Sequence, residues 1–368
     1  MIIERKTIMG SNPKLRIGLE KIRDNASKVV ELCKKTGIRA GGVTKGLCGN
    51  LKVAEAMVDG GCSFLADSRV KNIANLKREG MNVPCMLLRL PMPSETDAVV
   101  TWADVSLVSM GETILLLDEA CKIKNKFHEV VVMVDVGDLR EGIWPSDVEI
   151  ETIASALKKC KRVHCLGVGT NVGCYGGVLP SRENMGRLVE VGRKLEDLLD
   201  YKLAVYSGGS SSSLALIEKR EMPREINQLR IGEAILLGTD VTGGRKIPYL
   251  NQDTMFLEAE VIEVRRKPSV PVGEIGADAF GNVPFFEDRG VRLRAVLALG
   301  KQDVRLEGIK PLQKGIHILG ASSDHMILDV EECDEKISPG SVLAFRVDYG
   351  AMLAVATSPY VEVVAEAE

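Results

Sequence analysis

The sequence predicts a two-domain α/β protein, in which a TIM-like (β/α)8 barrel is followed by a C-terminal all-β domain. At 368 residues the chain is too long for one ordinary core. Short apolar runs alternate with amphipathic helical patterns through the first two-thirds, and the pattern changes to strand alternation after about residue 243. We therefore place the barrel domain at residues 1–243 and the β domain at residues 244–368.

The first two-thirds contain eight strand–helix units, which is the number a closed parallel barrel needs. The candidate strands are residues 39–45, 63–67, 84–90, 105–109, 129–135, 163–170, 203–207 and 229–231. Helical periodicity separates them, most clearly at residues 18–36, 51–59 and 183–199. An open doubly wound sheet is the alternative, but no Gly-x-Gly-x-x-Gly fingerprint follows the first strand.

The last third shows period-two alternation of apolar and polar residues, which is typical of antiparallel strands. The clearest runs are residues 255–264, 291–299, 316–319 and 326–330. Glycine and proline clusters separate them, including residues 267–273 (KPSVPVG) and 338–340 (SPG). A smaller all-β domain is the expected result.

Composition excludes several classes of function. A net charge of −3 and a pI near 6.0 argue against a nucleic-acid surface, and no run of 18 apolar residues suggests a membrane span. Nine cysteines, an odd number with no Cys-x-x-Cys pair, indicate reduced thiols in a cytoplasmic protein. The four histidines show no metal-ligand spacing, so we expect no metal site.

Lys45 is the most informative residue of the chain. It ends the apolar run 39–45 (RAGGVTK), so its stem would be packed and its amine presented at the carboxyl end of a strand. Desolvation lowers an ammonium pKa, and a lowered pKa makes a nucleophilic amine that can form a Schiff base. A surface lysine after a strand is the alternative interpretation.

A glycine- and serine-rich segment follows the seventh candidate strand at residues 207–213 (SGGSSSS). Glycines allow close backbone approach, and successive N–H groups with hydroxyls form an anion cradle for which phosphate is a natural ligand. We expect a helix to begin at Ser213. A polar loop with a serine cap is equally compatible with this segment. Arg230, with the backbone N–H groups of Gly232 and Glu233, offers a second and weaker anion site.

Seven passages, taken together, resemble the alanine racemase-like (fold type III) family of pyridoxal 5′-phosphate (PLP) enzymes. They are residues 66–69 (ADSR), 87–91 (LLRLP), 133–142 (MVDVGDLREG), 207–213 (SGGSSSS), 230–233 (RIGE), 273–282 (GEIGADAFGN) and 318–325 (ILGASSDH). The resemblance covers nearly the whole chain, and within the family it is strongest to the ornithine racemase branch. It implies a PLP-dependent isomerase that interconverts L- and D-ornithine by two-base proton transfer.

The resemblance assigns roles to individual residues. Lys45 matches the lysine that holds PLP as a Schiff base, and Arg230 matches the arginine that hydrogen-bonds the pyridine nitrogen. Arg140 matches the arginine near the phenolic oxygen of the cofactor and the substrate carboxylate. Asn171 stands where the family has a histidine over the ring. The residues that match the phosphate site are Ser210, Ser211, Gly232, Glu233 and Tyr349.

The second acid or base departs from the family pattern. The catalytic tyrosine of alanine racemases, in a Gly-Tyr-Ala-Asp segment, aligns with residues 300–303 (GKQD). Lys301 is a candidate by position, His325 by the ordinary pKa of imidazole, and Cys174 by its place after the sixth strand.

A cationic substrate such as ornithine requires an acidic pocket. We assign substrate binding to Arg140, Ser323 and Asp324, and further carboxylates that could contribute are Asp138, Glu233 and Asp348. Alanine, lysine or broad specificity remain alternatives, as does a basic amino-acid decarboxylase of the same fold. A non-catalytic PLP carrier and a phosphosugar enzyme on a similar barrel are further alternatives. The resemblance also implies a head-to-tail homodimer in which each β domain, with Lys301 and His325, closes the barrel mouth of the partner.

Overall fold

The computed structural model describes residues 13–367, which divide into two compact units. One comprises residues 19–254, and the other comprises residues 13–18 together with 255–367. Residues 1–12, which we place in the barrel domain, lie outside the described part of the chain. The first described strand, β1 (Lys14–Gly18), belongs to the second unit, where it pairs with strands from the C-terminal third.

The first unit is a closed barrel of eight parallel strands in chain order. The eight predicted strands are all confirmed, with shorter bounds at most of them. They are β2 (Arg39–Val43), β3 (Leu65–Asp67), β4 (Cys85–Leu87), β5 (Val105–Val108), β6 (His128–Met133), β7 (Val163–Gly169), β8 (Val205–Ser207) and β9 (Gln228–Ile231). Pairing of β2 with β9, with Arg39 opposite Gln228, closes the barrel. The carboxyl ends of all eight strands therefore meet at one mouth.

Helices follow the strands on the outside of the barrel. They are α1 (Leu19–Lys34), α2 (Leu51–Asp59), α3 (Val70–Arg78), α4 (Thr96–Trp102), α5 (Gly111–Lys124), α6 (Asp147–Lys159), α7 (Arg182–Leu199), α8 (Leu214–Glu218) and α9 (Glu233–Leu237). The three helices predicted most clearly, now α1, α2 and α7, are confirmed. In α1 the buried positions Ile22, Ala26 and Val29 recur at helical spacing, so one apolar face packs inward.

The interior of the barrel is filled by apolar side chains from neighbouring strands, including Val43, Ala66, Met86, Leu107 and Val131. Glycine is required on β2, because a Cβ at Gly41 would lie 2.2 Å from the ring of Phe64. The packed interior leaves the mouth as the place where polar side chains gather.

A short antiparallel ribbon, β10 (Thr239–Asp240) and β11 (Arg245–Lys246), follows the last barrel helix. Arg245 pairs with Asp240 and with Glu218 of α8, so the ribbon is held by barrel residues. The compact division therefore falls after Thr254, whereas the composition of the sequence changes near residue 243.

The second unit is built on an eight-stranded, mainly antiparallel sheet. Its C-terminal elements are β12 (Met255–Pro268), β13 (Val291–Leu297), β14 (Ile309–Pro311), β15 (His317–Ala321), β16 (Met326–Asp329), β17 (Val342–Val347), α10 (Tyr349–Thr357) and β18 (Glu362–Glu366). The strand order is β14-β17-β12-β13-β16-β15, and β1 joins it by pairing with β12 and β18. The four strands predicted here are confirmed, and the unit also contains the helix α10. Over residues 13–367, none of the helices has the length and apolarity that a membrane span requires.

Candidate active site

Lys45 lies at the barrel mouth, directly after β2. Thr44 links the strand to a 3-10 turn at Lys45–Leu47, and its Oγ1 donates a 2.8 Å hydrogen bond to Oδ2 of Asp67 at the end of β3. The other carboxylate oxygen, Oδ1, accepts the backbone N–H of Arg69 at 2.9 Å and the amide of Asn72 at 3.0 Å. The buried Asp67 thereby fixes the backbone that presents Lys45.

The amine of Lys45 is half-buried and has no hydrogen-bond or ion-pair partner among residues 13–367. Burial lowers the pKa of this amine below its ordinary value, and the positive charge of Arg140 lowers it further. A partly dehydrated lysine with no carboxylate in contact has a larger neutral fraction, which is what a nucleophile or a base requires.

Arg230 lies on β9 with only 2% of its surface exposed. Its Nη1 donates a hydrogen bond to Oγ of Ser207. Its Nη2 donates to the carbonyl of Thr170 and to Oδ1 of Asn171, and both of these distances are 2.7 Å. Within the described chain, Nε has no hydrogen-bond partner. Burial lowers the pKa of Arg230 to about 10, so the guanidinium stays charged at neutral pH.

Arg140 and Asn171 are joined by a residue that the sequence did not single out, Glu141. The Arg140 guanidinium donates to both carboxylate oxygens of Glu141, and Oε1 also accepts Nδ2 of Asn171 at 2.9 Å. Arg140, Glu141, Asn171 and Arg230 therefore form one connected set, which we call the arginine network. In the sequence, Glu141 is marked only by its place next to Arg140 in the 133–142 passage.

Cys174 lies in an exposed loop after β7 that one buried carboxylate organises. Asp138 accepts backbone N–H groups from Gly173, Cys174, Tyr175 and Val178 at 2.9–3.2 Å. Burial alone would raise the pKa of Asp138, but these donors hold it below its ordinary value. Cys174 is within electrostatic reach of the cations Lys45, Arg140 and Arg230. All four belong to the barrel unit.

The serine-rich segment forms a compact turn with one unsatisfied group. Ser211 Oγ accepts the backbone N–H of Ala234 at 3.0 Å, and Ser213 Oγ donates to the carbonyl of Gly208 at 2.7 Å. Ser212 Oγ is buried and has no hydrogen-bond partner in the described structure, so it is free to meet a ligand. Ser210 precedes this turn and is half-buried.

The helix expected to begin at Ser213 is confirmed, with Ser213 as its N-cap residue. Residues Ser211–Ser213 form a 3-10 turn, and α8 begins at Leu214 and has only five residues. A helix of this length has a small dipole, so the expected anion cradle would depend on hydroxyl and backbone N–H groups. Gly209, with φ +101°, provides the left-handed backbone that this turn requires.

Gly232 and Glu233 lie at the start of α9. A Cβ at Gly232 would be 3.1 Å from Cβ of Val43, so glycine permits β2 and β9 to approach here. The Glu233 carboxylate accepts hydrogen bonds from Oγ1 of Thr239 at 2.6 Å and from the backbone N–H of Val241 at 2.8 Å. Its side chain therefore stabilises the β10–β11 ribbon, which the sequence did not indicate.

The second unit brings together another group of predicted residues, Lys301, Ser323, Asp324 and His325, which we call the turn cluster. The backbone N–H of Lys301 donates to the carbonyl of Ser322 at 2.9 Å, which joins the residue 300–303 loop to the β15–β16 turn. Asp324 Oδ1 lies 2.9 Å from Nδ1 of the exposed His325 and 3.3 Å from Ser323 Oγ. The hydrogen bond from His325 lowers the pKa of Asp324.

The ammonium of Lys301 is engaged within its own unit. Its Nζ lies 3.7 Å from the Asp278 carboxylate and 4.0 Å from the centroid of the Phe280 ring. Tyr349 is the first residue of α10, where Asp348 caps the helix by accepting the backbone N–H of Ala351 at 2.8 Å. The Asp348 carboxylate therefore has a structural role.

The family model for the N-terminal domain of alanine racemase matches residues 17–240. The chain is 43% identical to the lysine racemase of Thermotoga maritima over 354 residues, which cover 96% of this chain and 98% of that relative. It is 41% identical to the ornithine racemase of Acetoanaerobium sticklandii over 350 residues, or 95% of this chain and 98% of the relative.

Solved structures of alanine racemases share the fold. The enzyme from Clostridium difficile superposes with a TM-score of 0.77 at 18% identity, covering 98% of this chain and 97% of that chain. The enzyme from Streptomyces lavendulae gives the same TM-score at 15% identity, with 98% of each chain covered. At these identities the likeness establishes architecture alone.

Proposed function

Because this chain belongs to the alanine racemase family of amino-acid racemases, whose members use PLP, we propose that it interconverts L- and D-ornithine with PLP as cofactor. Two relatives of nearly equal identity are named for lysine and ornithine, both of which carry a cationic side chain. The ornithine preference rests on the motif resemblance, with lysine as the nearest alternative.

Three unsatisfied groups at the barrel mouth fit the parts of PLP. The unpaired amine of Lys45 suits the aldehyde, and Nε of Arg230 suits the pyridine nitrogen as a donor. The buried, partnerless Ser212 hydroxyl, beside Ser210 and Ser211, suits the phosphate. When bound, PLP withdraws electrons from the substrate Cα and makes its proton acidic. The unpaired Lys45 amine is the observation that carries this proposal.

Residues of this chain would take up the substrate α-proton and hold the substrate and the cofactor in place. Lys45 would take the α-proton on one face of the substrate, since its neutral form is favoured by burial. Arg140 would hold the substrate carboxylate through a charge-assisted hydrogen bond. Arg230, charged at neutral pH, would keep its proton and leave the pyridine nitrogen uncharged.

A second group on the opposite face would complete the racemisation. Cys174 is supported by its electrostatic reach to Lys45, and His325 by a carboxylate, Asp324, that orients its imidazole. Lys301 would first have to leave Asp278 and Phe280. We therefore place Cys174 and His325 ahead of Lys301.

The substrate side chain also needs a carboxylate. In the barrel, Asp67, Asp138 and Glu141 already accept several hydrogen bonds each. We propose that Asp324, with Ser323, meets the substrate ammonium, and that the chain acts as a head-to-tail homodimer in which the turn cluster closes the barrel mouth of the partner. The dimer rests on the family resemblance.

The test is a racemase panel with the purified holoenzyme. L- and D-ornithine, lysine and alanine would be followed by chiral chromatography, with carbon dioxide release measured in parallel. We expect racemisation of ornithine, and borohydride reduction followed by peptide mapping should place the cofactor on Lys45. Lys45→Ala should lose at least about 10³-fold in kcat/KM, whereas Lys71→Ala, at an exposed helical lysine, should not.

Activity confined to alanine would remove the ornithine assignment, and carbon dioxide release would replace the racemase with a decarboxylase. A cofactor adduct on another residue, or on none, would contradict the role of Lys45.

A further inference from the structure

We propose that Glu141 is a positioning residue that fixes Arg140 and, through Asn171, Arg230 as a single unit. This inference rests on the proposed function, in which Arg140 meets the substrate carboxylate and Arg230 meets PLP. Glu141 lies in the 133–142 passage, but neither the sequence analysis nor the family resemblance assigns it a role.

The geometry makes Glu141 the link between the two arginines. Its carboxylate accepts hydrogen bonds from Nε and Nη2 of Arg140 and from Nδ2 of Asn171. Only 15% of the Glu141 side chain is exposed. The other end of the Asn171 amide, Oδ1, accepts Nη2 of Arg230 at 2.7 Å. Hydrogen bonds to Ser207 and Thr170 complete the restraint of Arg230.

The charge balance at the barrel mouth also depends on Glu141. Three cationic side chains gather there, Lys45, Arg140 and Arg230. Among residues 13–367, Glu141 is the carboxylate in contact with Arg140, and Arg230 has no ion pair. The other mouth carboxylates, Asp67 and Asp138, are committed to hydroxyl, amide and backbone donors. Removing the charge of Glu141 would leave Arg140 without its ion pair and would take a stabilising negative charge away from the buried Arg230.

Hydrogen-bond direction carries the effect from one arginine to the other. A carboxylate only accepts, so Asn171 must turn its NH2 group toward Glu141 and its oxygen toward Arg230. In Glu141→Gln, a single amide oxygen replaces two acceptors for Arg140 and Asn171. If the glutamine NH2 faced Asn171, the Asn171 amide would have to rotate and present its own NH2 group to Arg230. Both arrangements cost Arg140 a hydrogen bond, and in the second one Asn171 transmits a further loss to Arg230.

The experiment measures two affinities, one for each arginine. PLP uptake by the apoprotein, followed by absorbance, reports the Arg230 side without turnover. Competitive inhibition by pentanoate, which has the carbon count and carboxylate of ornithine but no amine, reports Arg140. For Glu141→Gln we expect both to weaken about 10-fold, since Arg140 loses a charge-assisted hydrogen bond to the carboxylate and Arg230 loses its hydrogen bond to Asn171 Oδ1 when the Asn171 amide rotates. Asn171→Ala should weaken PLP uptake by a similar factor and leave pentanoate inhibition within about 2-fold.

The double variant tests whether Asn171 carries the coupling. In the Asn171→Ala background, Glu141→Gln should add less than about 2-fold to the loss of PLP affinity, because the path to Arg230 is already broken. Glu141→Asp, which keeps the charge, should recover part of both affinities. Glu183→Gln, which breaks the exposed pair with Arg187, is the matched control and should change neither.

The outcomes separate this role from the proposed function. A wild-type protein that takes up no PLP overturns both. A wild-type protein that takes up PLP, with Glu141→Gln matching it in both affinities, overturns the role of Glu141 alone. Equal, additive losses in the double variant would overturn the relay through Asn171. If Glu141→Gln does not fold, by thermal melting, then Glu141→Asp and Asn171→Ala decide: unchanged PLP affinity in Asn171→Ala contradicts the relay.

Discussion

The arginine network and the turn cluster hold charged groups in opposite ways. In the barrel, Arg230 is buried and donates to three oxygen acceptors at the ends of two strands, β7 and β8. In the second unit, His325 and Asp324 are exposed in a turn and contact mainly each other. Buried charges must be matched by fixed partners, whereas exposed charges are screened by water and cost little to move. The barrel therefore holds its charged groups in a fixed geometry, whereas the turn cluster holds exposed groups whose side chains can move at little cost.

The sharpest way to test this division is to substitute the candidate acid/base groups and follow α-deuterium exchange. We expect one of Cys174→Ser, His325→Gln or Lys301→Met to reduce exchange from one ornithine enantiomer by about 10²-fold or more, because each base serves one face. Glu141→Gln should slow both enantiomers equally. If none of the three variants is selective for one enantiomer, the two-base assignment fails.

Mixing two inactive variants shows on which protomer the turn cluster acts. In a head-to-tail dimer, Lys45→Ala mixed with an inactive His325→Gln should recover about a quarter of wild-type activity, since half of the pairs have one intact site. No recovery after subunit exchange would contradict a shared site, as would an active monomer in sedimentation.

The two histidines His128 and His325 extend the comparison to stability. His128 is buried at the start of β6, with Nε2 2.8 Å from Ser106 Oγ, and burial lowers its pKa to about 4. Below its ordinary pKa near 6.5 the unfolded chain gains a proton that the folded chain does not, so stability falls as pH falls from 6.5 to 4. The loss should approach about 3 kcal/mol.

The measurement is the free energy of unfolding at pH 7.5 and pH 4.5. His128→Gln should show a smaller loss between these pH values than wild type, and the exposed variant His325→Gln should lose as much as wild type. Equal pH dependence in all three proteins would show that His128 does not control acid stability.

The smallest expected effect concerns the backbone of the turn cluster. A Cβ at Gly300 would lie 2.1 Å from the carbonyl oxygen of Ser323, so Gly300→Ala must move the loop that carries Lys301. We expect destabilisation of about 1–3 kcal/mol, measured by denaturant unfolding, with PLP uptake by the barrel unchanged. Gly276→Ala has no atom within 4 Å of its added Cβ and is the control. Loss of PLP uptake in Gly300→Ala would contradict the independence of the two regions.

Much of the barrel could be predicted because its signals are local. Eight apolar runs with helical patterns between them are sufficient to predict the strands and their order, and Lys45 and Arg230 follow from their places at strand ends. The strands β1, β14, β17 and β18 could not be predicted from local patterns in the same way. The pairing of β1 with β18 joins residues nearly the whole chain apart, and no local pattern specifies such a partner.

The amino-acid sequence by itself determined which groups this protein carries at each strand end: an amine at Lys45, guanidinium groups at Arg140 and Arg230, and hydroxyls at residues 210–213. Only the tertiary structure decided their partners. Glu141 meets Asn171 and Arg140, Ser212 is left without a partner, and Lys301 is held by Asp278. Strand ends follow from short-range periodicity, whereas a hydrogen bond between two strand ends depends on barrel closure, register and rotamer together, which residues far apart in the chain determine jointly.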